Sequence, residues 1–222
     1  NAHTGFNITM TLILIPLIPI MVKIVMMLVP DKKGTEQIAL EQPMYLDNRL
    51  IGQPAAALSL VAKEIFRCAK IVEAMLDKVT HLNTKDGKDV VEYIDENTGA
   101  LRKLYTAIND YLASMYSGGV MAEEQAAQSA ELLYVLCDVD RIGNLVYDIA
   151  DTVADEKSDK HKYSKEAMKE LKKSMEQIKN IYSCSISAIA GEKTLDMSDL
   201  QAQKESVMKL NESMRKNHVA RI

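Results

Sequence analysis

The sequence predicts an all-α protein: a terminal membrane-spanning helical segment followed by an antiparallel bundle of long helices. Three observations predict it. Apolar residues beyond residue 55 recur at alternating steps of three and four over five stretches, as in helices that each bury one stripe. All 5 prolines (Pro16, Pro19, Pro30, Pro43 and Pro54) fall in the first quarter, so nothing after Pro54 forbids long uninterrupted helices. No strand signal competes with these stripes.

The first element is the apolar run from Ile8 to Val29, which follows the polar heptapeptide "NAHTGFN". Its length suits a helix crossing a hydrocarbon core of roughly 30 Å, and Lys23 is its one charged residue. A secretory signal would place a basic region first and a small-residue cleavage site after a shorter apolar core, and neither is present. Pro16 and Pro19 remove backbone donors near the middle, so the helix should kink or break unless neighbouring protein satisfies the freed carbonyls. Lys23 either snorkels to an interface or faces other helices. Lys32 and Lys33 follow at once and place the C-terminal end of the span in the cytoplasm. A kinked span entered from a polar heptapeptide is the pattern of a multi-pass protein met partway, so we expect residues 1–30 to be the end of a membrane domain, with the span at about 8–29. Residues 31–54, rich in turn formers and without sustained periodicity, read as a connector.

Residues 55–222 then carry the five stripes. The first runs through Leu58, Val61, Ile65, Cys68, Val72, Met75, Val79 and Leu82. After the break at "NTKDGKD", Val91, Ile94, Leu101, Tyr105, Ile108, Leu112 and Met115 make the second. The third, beyond the stop at Ser117–Gly119, runs through Leu132, Val135, Val139, Ile142, Val146, Ile149 and Val153. Met168, Leu171, Met175, Ile178, Tyr182 and Ile189 form a fourth after the charged loop "DEKSDKHKYS", and Leu200, Val207, Leu210 and Met214 a fifth after Gly191. Long helices joined by short loops make an antiparallel bundle. If the building unit is three helices, one unit is complete and a second is present in part, truncated at the C-terminus.

Composition excludes several roles. With 27 basic against 31 acidic residues, a net charge of -4 and few aromatics, the chain has no basic stripe and little to stack on bases, so nucleic acid is not an expected partner. Cys68, Cys137 and Cys184 lie far apart, an odd unpaired set that suits a reducing compartment and buried thiols acting as small core residues. His3, His81, His161 and His218 accompany no nucleophile elbow, no HExxH and no phosphate-cradling glycine loop, so the chain is not expected to be an enzyme.

The most distinctive stretch is "CDVDRIGNLVYDIAD", Cys137–Asp151, with Asp138, Asp140, Asp148 and Asp151 in one helix. Glycine inside a helix costs about 1 kcal/mol relative to alanine, so Gly143 implies close approach of another helix or a ligand. Asp140 and Asn144 are four apart and share a face. They either join carboxylates of another helix in binding a hard cation or di-metal centre, or belong to a solvated acidic face on which Arg141 pairs with a carboxylate.

These residues carry a family resemblance. "DVDRIGNLVYDIAD", with Asp138, Asp140, Arg141, Gly143 and Asn144, resembles the ERIGD-type signature that closes each three-helix repeat of PhoU proteins, cytoplasmic regulators of phosphate uptake. "YLDNRLIGQPAAALSLVAKEIFRCAKIVEAML" is similar to the lead-in by which bacterial sodium/phosphate cotransporters join their membrane domain to a C-terminal PhoU-like domain, and "NAHTGFN" resembles the AHTxFN motif late in that membrane domain. The resemblance implies a C-terminal fragment of a sodium:phosphate symporter of the inner (plasma) membrane, its PhoU-like bundle regulating uptake from the cytoplasm. Sodium would be the coupling ion, and phosphate and sodium would be handled by a transport domain upstream. His3, Thr4 and Asn7 would then line the approach to the transport site, or else cap a helix end. The bundle would touch a phosphate-signalling protein or self-associate. In metal-binding PhoU proteins a Glu and an Asp four apart hold clustered divalent or iron metal with a pair from the preceding helix. Here those positions are Asp140 and Asn144, and the partner pair is Thr98 and Arg102, whose cation would oppose bound metal. An alternative is a membrane-tethered PhoU-like adaptor that binds a sensor kinase. A ferritin-like metal enzyme would need paired Glu-x-x-His motifs, and the sequence has none.

Overall fold

The computed structural model describes residues 40–81, 87–119, 121–155, 164–191, 194 and 196–221, together with His3, Phe6, Met10, Thr11, Ile15, Ile18 and Met21. The chain divides into two compact units, residues 1–39 and 40–222. In the first, every described position is helical, and Phe6, Met10, Ile15, Ile18 and Met21 are all exposed. Among the described residues no helix is long and apolar enough to cross a membrane. The remainder of the expected span over 8–29, with Pro16, Pro19 and Lys23, lies outside the described residues, as do Thr4 and Asn7.

Among the described residues the second unit holds a 3-10 turn at Asn48–Leu50, five long α-helices and no strand: α1 (Pro54–Thr80), α2 (Gly87–Ser117), α3 (Glu123–Asp155), α4 (Lys165–Ile189) and α5 (Met197–Arg221). Pro54 opens α1, where its missing N–H costs nothing and its fixed φ suits the first turn. Gly119 ends the chain reversal after α2 at φ 63°, and Gly191 does the same after α4 at φ 73°, conformations that side chains disfavour. Ser164 caps α4 by accepting from the Ala167 N–H at 3.1 Å, and Asp196 accepts from the Ser198 N–H at 2.9 Å at the start of α5.

Helix α1 is the centre, packing on α2, α3 and α4, while α5 packs on α4. Helix α2 runs antiparallel to α1 and α3, and α4 runs antiparallel to α1. Tyr105 of α2 lies level with Cys137 of α3, its hydroxyl 3.5 Å from the sulfur. On the other side the buried Tyr182 hydroxyl of α4 donates to the Ala69 carbonyl of α1 at 3.0 Å, and Lys179 pairs with Asp77. The core is the set of stripes the spacing predicts: Leu58, Val61, Ile65, Val72 and Met75 from α1, Ile94, Leu101, Ile108 and Leu112 from α2, and Val139 and Val146 from α3 are all buried. The fifth stripe is half-buried, since one neighbouring helix covers one side of α5.

Two expectations fail in detail. Ile178 and Ile189 are exposed. The buried line of α4 runs through Met175, Tyr182 and Ile186, from which Ile178 is turned by about 60° at 3.6 residues per turn. Ile189 borders an open groove instead of a helix. Of the cysteines only Cys68 is buried, whereas Cys137 is exposed and Cys184 half-buried, because the inward positions of α3 are Leu136 and Val139 on either side of Cys137. Residues 40–53, expected to act as connector, belong to the second unit and are fastened to its helices.

Candidate functional site

The signature stretch lies along α3 where it meets α1 and α2. Gly143 is buried at this junction. A Cβ built on it would lie 3.0 Å from Leu101 Cδ1 of α2 and 3.4 Å from Val72 Cγ2 of α1, so the glycine allows both helices to approach. The close approach expected of Gly143 is made by helices. Beside it, Asn144 Nδ2 donates to the Asp140 carbonyl at 2.9 Å and to Asp140 Oδ2 at 3.0 Å. The pair is half-buried and faces the level of Thr98 and Arg102 in the antiparallel register of α2. Thr98 is buried and donates to the Ile94 carbonyl at 2.8 Å, while Arg102 is exposed.

The outer edge of the same stretch is solvated. Arg141 and Asp138 approach to 3.6 Å with both side chains largely exposed, a pair of little energetic consequence. Asp148 and Asp151 are also exposed. The acidic helix thus has two sides, an inner amide–carboxylate pair and a solvent-facing charged strip. Among the described residues, no group of three or more His, Cys, Asp or Glu side chains is placed to hold a metal ion. His3 is helical and exposed in the first unit.

A second cluster is more thoroughly built, and it surrounds Glu64. This α1 carboxylate is fully buried. Its Oε2 accepts the backbone N–H groups of Met44 at 2.9 Å and Tyr45 at 2.7 Å, and its Oε1 accepts Arg67 Nε at 2.6 Å. Arg67 in turn donates to the Gln42 carbonyl at 2.7 Å and the Leu40 carbonyl at 3.2 Å. Pro43 makes this geometry accessible. It disfavours helix at Gln42 and fixes its own φ, so the peptide groups on either side turn toward α1. Helix α2 holds the same strap from the other side: Lys103 pairs with Glu41 at 2.5 Å, and the Tyr111 hydroxyl donates to the Asp47 carbonyl at 2.8 Å. Arg49 forms a bidentate pair with Asp47, Nε donating to Oδ1 and Nη2 to Oδ2, and holds that carboxyl down at about 2.

Burial pushes the Cys68 thiol up to about 12, with Glu64 one turn away adding to the shift. An apolar groove of about 600 Å³ opens nearby between α1, α3 and the end of α4, lined among others by Phe66, Leu132, Val139, Ile186 and Ile189, with Tyr45 of the strap on its wall. Spacing alone does not single out Glu64 and Arg67, because a Glu–Arg pair three apart is common on solvated helix faces. The available signal was positional: Glu64 falls on the apolar line Ala57, Val61, Cys68, Met75, where a carboxylate requires a partner.

The chain is 23% identical over 224 residues to a protein of Salmonella typhimurium named "Putative inorganic phosphate export protein YjbB". The match covers 99% of this chain and 40% of that protein, so the chain spans well under half the length of this curated relative. No protein-family model matches the sequence, and no solved structure matches it.

Proposed function

We propose that this chain is part of a phosphate-translocating membrane protein and that its helical bundle is the regulatory portion. The observation that carries the proposal is the end-to-end similarity to a protein named for inorganic phosphate export, which runs through the bundle as well as the N-terminal segment. The "NAHTGFN" segment and the "DVDRIGNLVYDIAD" helix support it through their resemblance to the cotransporter and PhoU families. The exposed Phe6, Met10, Ile15, Ile18 and Met21 of the first unit are the kind of apolar surface that lipid or neighbouring membrane helices cover.

Within this reading sodium is the coupling ion, the membrane is the inner (plasma) membrane, and the bundle is cytoplasmic. Import and export need not conflict. An alternating-access carrier runs in either direction, and its net flux follows the combined gradients of phosphate and the coupling ion. The bundle, with Asp140 and Asn144 engaged with each other and Gly143 given over to packing, acts as a rigid partner of the transport machinery.

The test is inorganic phosphate flux in both directions, with sodium or potassium as the cation, for the full-length protein and for the protein cut after Pro54. Sodium-dependent flux that changes on cutting supports the reading. A well-expressed protein that moves no phosphate in either direction refutes it and favours a membrane-tethered signalling adaptor.

A further inference from the structure

We propose that Glu64 and Arg67 form a latch that makes residues 40–47 a rigid lever on α1, so that the bundle is mechanically coupled to the chain entering at Leu40. The inference rests on the regulatory reading above and assigns the device through which regulation would pass. A connector that only tethers two parts needs no fixed geometry. Here five hydrogen bonds organise the strap around one pair: two backbone N–H groups onto Glu64 Oε2, Arg67 onto Glu64 Oε1, and Arg67 onto the Leu40 and Gln42 carbonyls. Both residues project from the helix that touches α2, α3 and α4, so any rearrangement of the bundle that moves α1 moves the strap with it.

The latch is also strong in the direction that matters for coupling. Charge-assisted bonds to backbone groups are about twice as strong as neutral ones, and Glu64 has no exposure to water that would compete. Lys103 and Tyr111 anchor the strap to α2 at residues 41 and 47, so the lever is held at both ends and in its middle. Glu64 and Arg67 act here as positioning residues, through the strap they hold.

The experiment uses the full-length protein in membrane vesicles, with the variants Glu64→Gln and Arg67→Lys and the protein cut after Pro54. Arg67→Lys keeps a cation beside Glu64 but loses the reach to the two carbonyls, so it carries the test if Glu64→Gln fails to fold. Hydrogen exchange of the peptide covering residues 42–47 should accelerate at least tenfold, with α2 and α3 exchange unchanged, and phosphate flux should move toward the level of the cut protein. A released strap with wild-type flux, where cutting alters flux, overturns the latch and leaves the regulatory reading standing. Unchanged exchange in both variants also overturns it. Flux indifferent to cutting overturns the regulatory reading, and the latch falls with it.

Discussion

Gly143→Ala offers the sharpest check on how the signature helix is used. In an open helix the change should stabilise, because glycine costs about 1 kcal/mol against alanine in helix interiors. At residue 143 the new Cβ would stand 3.0 Å from Leu101 Cδ1 and 3.4 Å from Val72 Cγ2, against the roughly 3.5–4.0 Å at which carbon pairs are comfortable. Leu101 Cδ1 must therefore give by a few tenths of an ångström, and because Leu101 is buried in a packed core with Val72 closing the other side it has little room to do so. Overpacking of this kind costs about 1–3 kcal/mol, and with two buried neighbours we take the upper part of that range. Subtracting the propensity gain leaves a net destabilisation of about 1–2 kcal/mol. Gly99 in α2 is the internal control, because a Cβ added there would meet nothing within 4 Å. Gly99→Ala should stabilise by about 0.5–1 kcal/mol. Urea unfolding followed by helix circular dichroism measures both, and Gly143→Ala in a Leu101→Ala background should recover at least about 0.5 kcal/mol through coupling. If Gly143→Ala stabilises as much as Gly99→Ala, close helix packing is not what the glycine provides.

Three further outcomes follow from the same geometry. A maleimide should label Cys137 first and leave Cys68 unmodified until the protein unfolds, since Cys68 is buried with its thiol pushed up to about 12; mass spectrometry of labelled peptides checks the order. The Asp47 carboxyl should titrate at about 2 by NMR instead of the ordinary 3.8, and Arg49→Met should return it toward that value. Because the folded value is the depressed one, the Arg49–Asp47 pairing favours the folded state above pH 3.8 and loses that effect as pH falls toward 2. Tyr182→Phe removes the buried bond to the Ala69 carbonyl and should cost about 1 kcal/mol in urea unfolding, with partial loosening of α4 seen by hydrogen exchange.

What the sequence makes legible is whatever periodicity encodes. Four stripes locate the buried faces of α1 to α4, and the turn at Ser117–Gly119 and the reversal at Gly191 end helices where expected. Legibility falls where burial depends on which neighbour is present. Ile178 and Ile189 fit a helical pattern as well as Ile186 does, but α4 meets α1 along one line and those two residues lie off it or beyond its cover. The same limit applies to Cys137, which is apolar enough for a core yet lies exposed at the edge of the α2–α3 contact, beside the Tyr105 hydroxyl.

The strap fails to show in the sequence for a different reason. Residues 40–53 have no period because, beyond a 3-10 turn at Asn48–Leu50, their order comes from α1 and α2, through Glu64, Arg67, Lys103 and Tyr111. A carboxylate on an apolar stripe is the one trace this leaves. Burying it alone would cost several kcal/mol, so it must find partners, and a stretch of chain outside the long helices is the natural supplier of backbone N–H groups. Glu64 and the strap therefore explain each other: the charge makes the segment fold, and the segment makes the charge tolerable. By that argument Asp140 is the milder case, half-buried and served by the neighbouring Asn144, which is why the signature helix needs no outside segment to complete it.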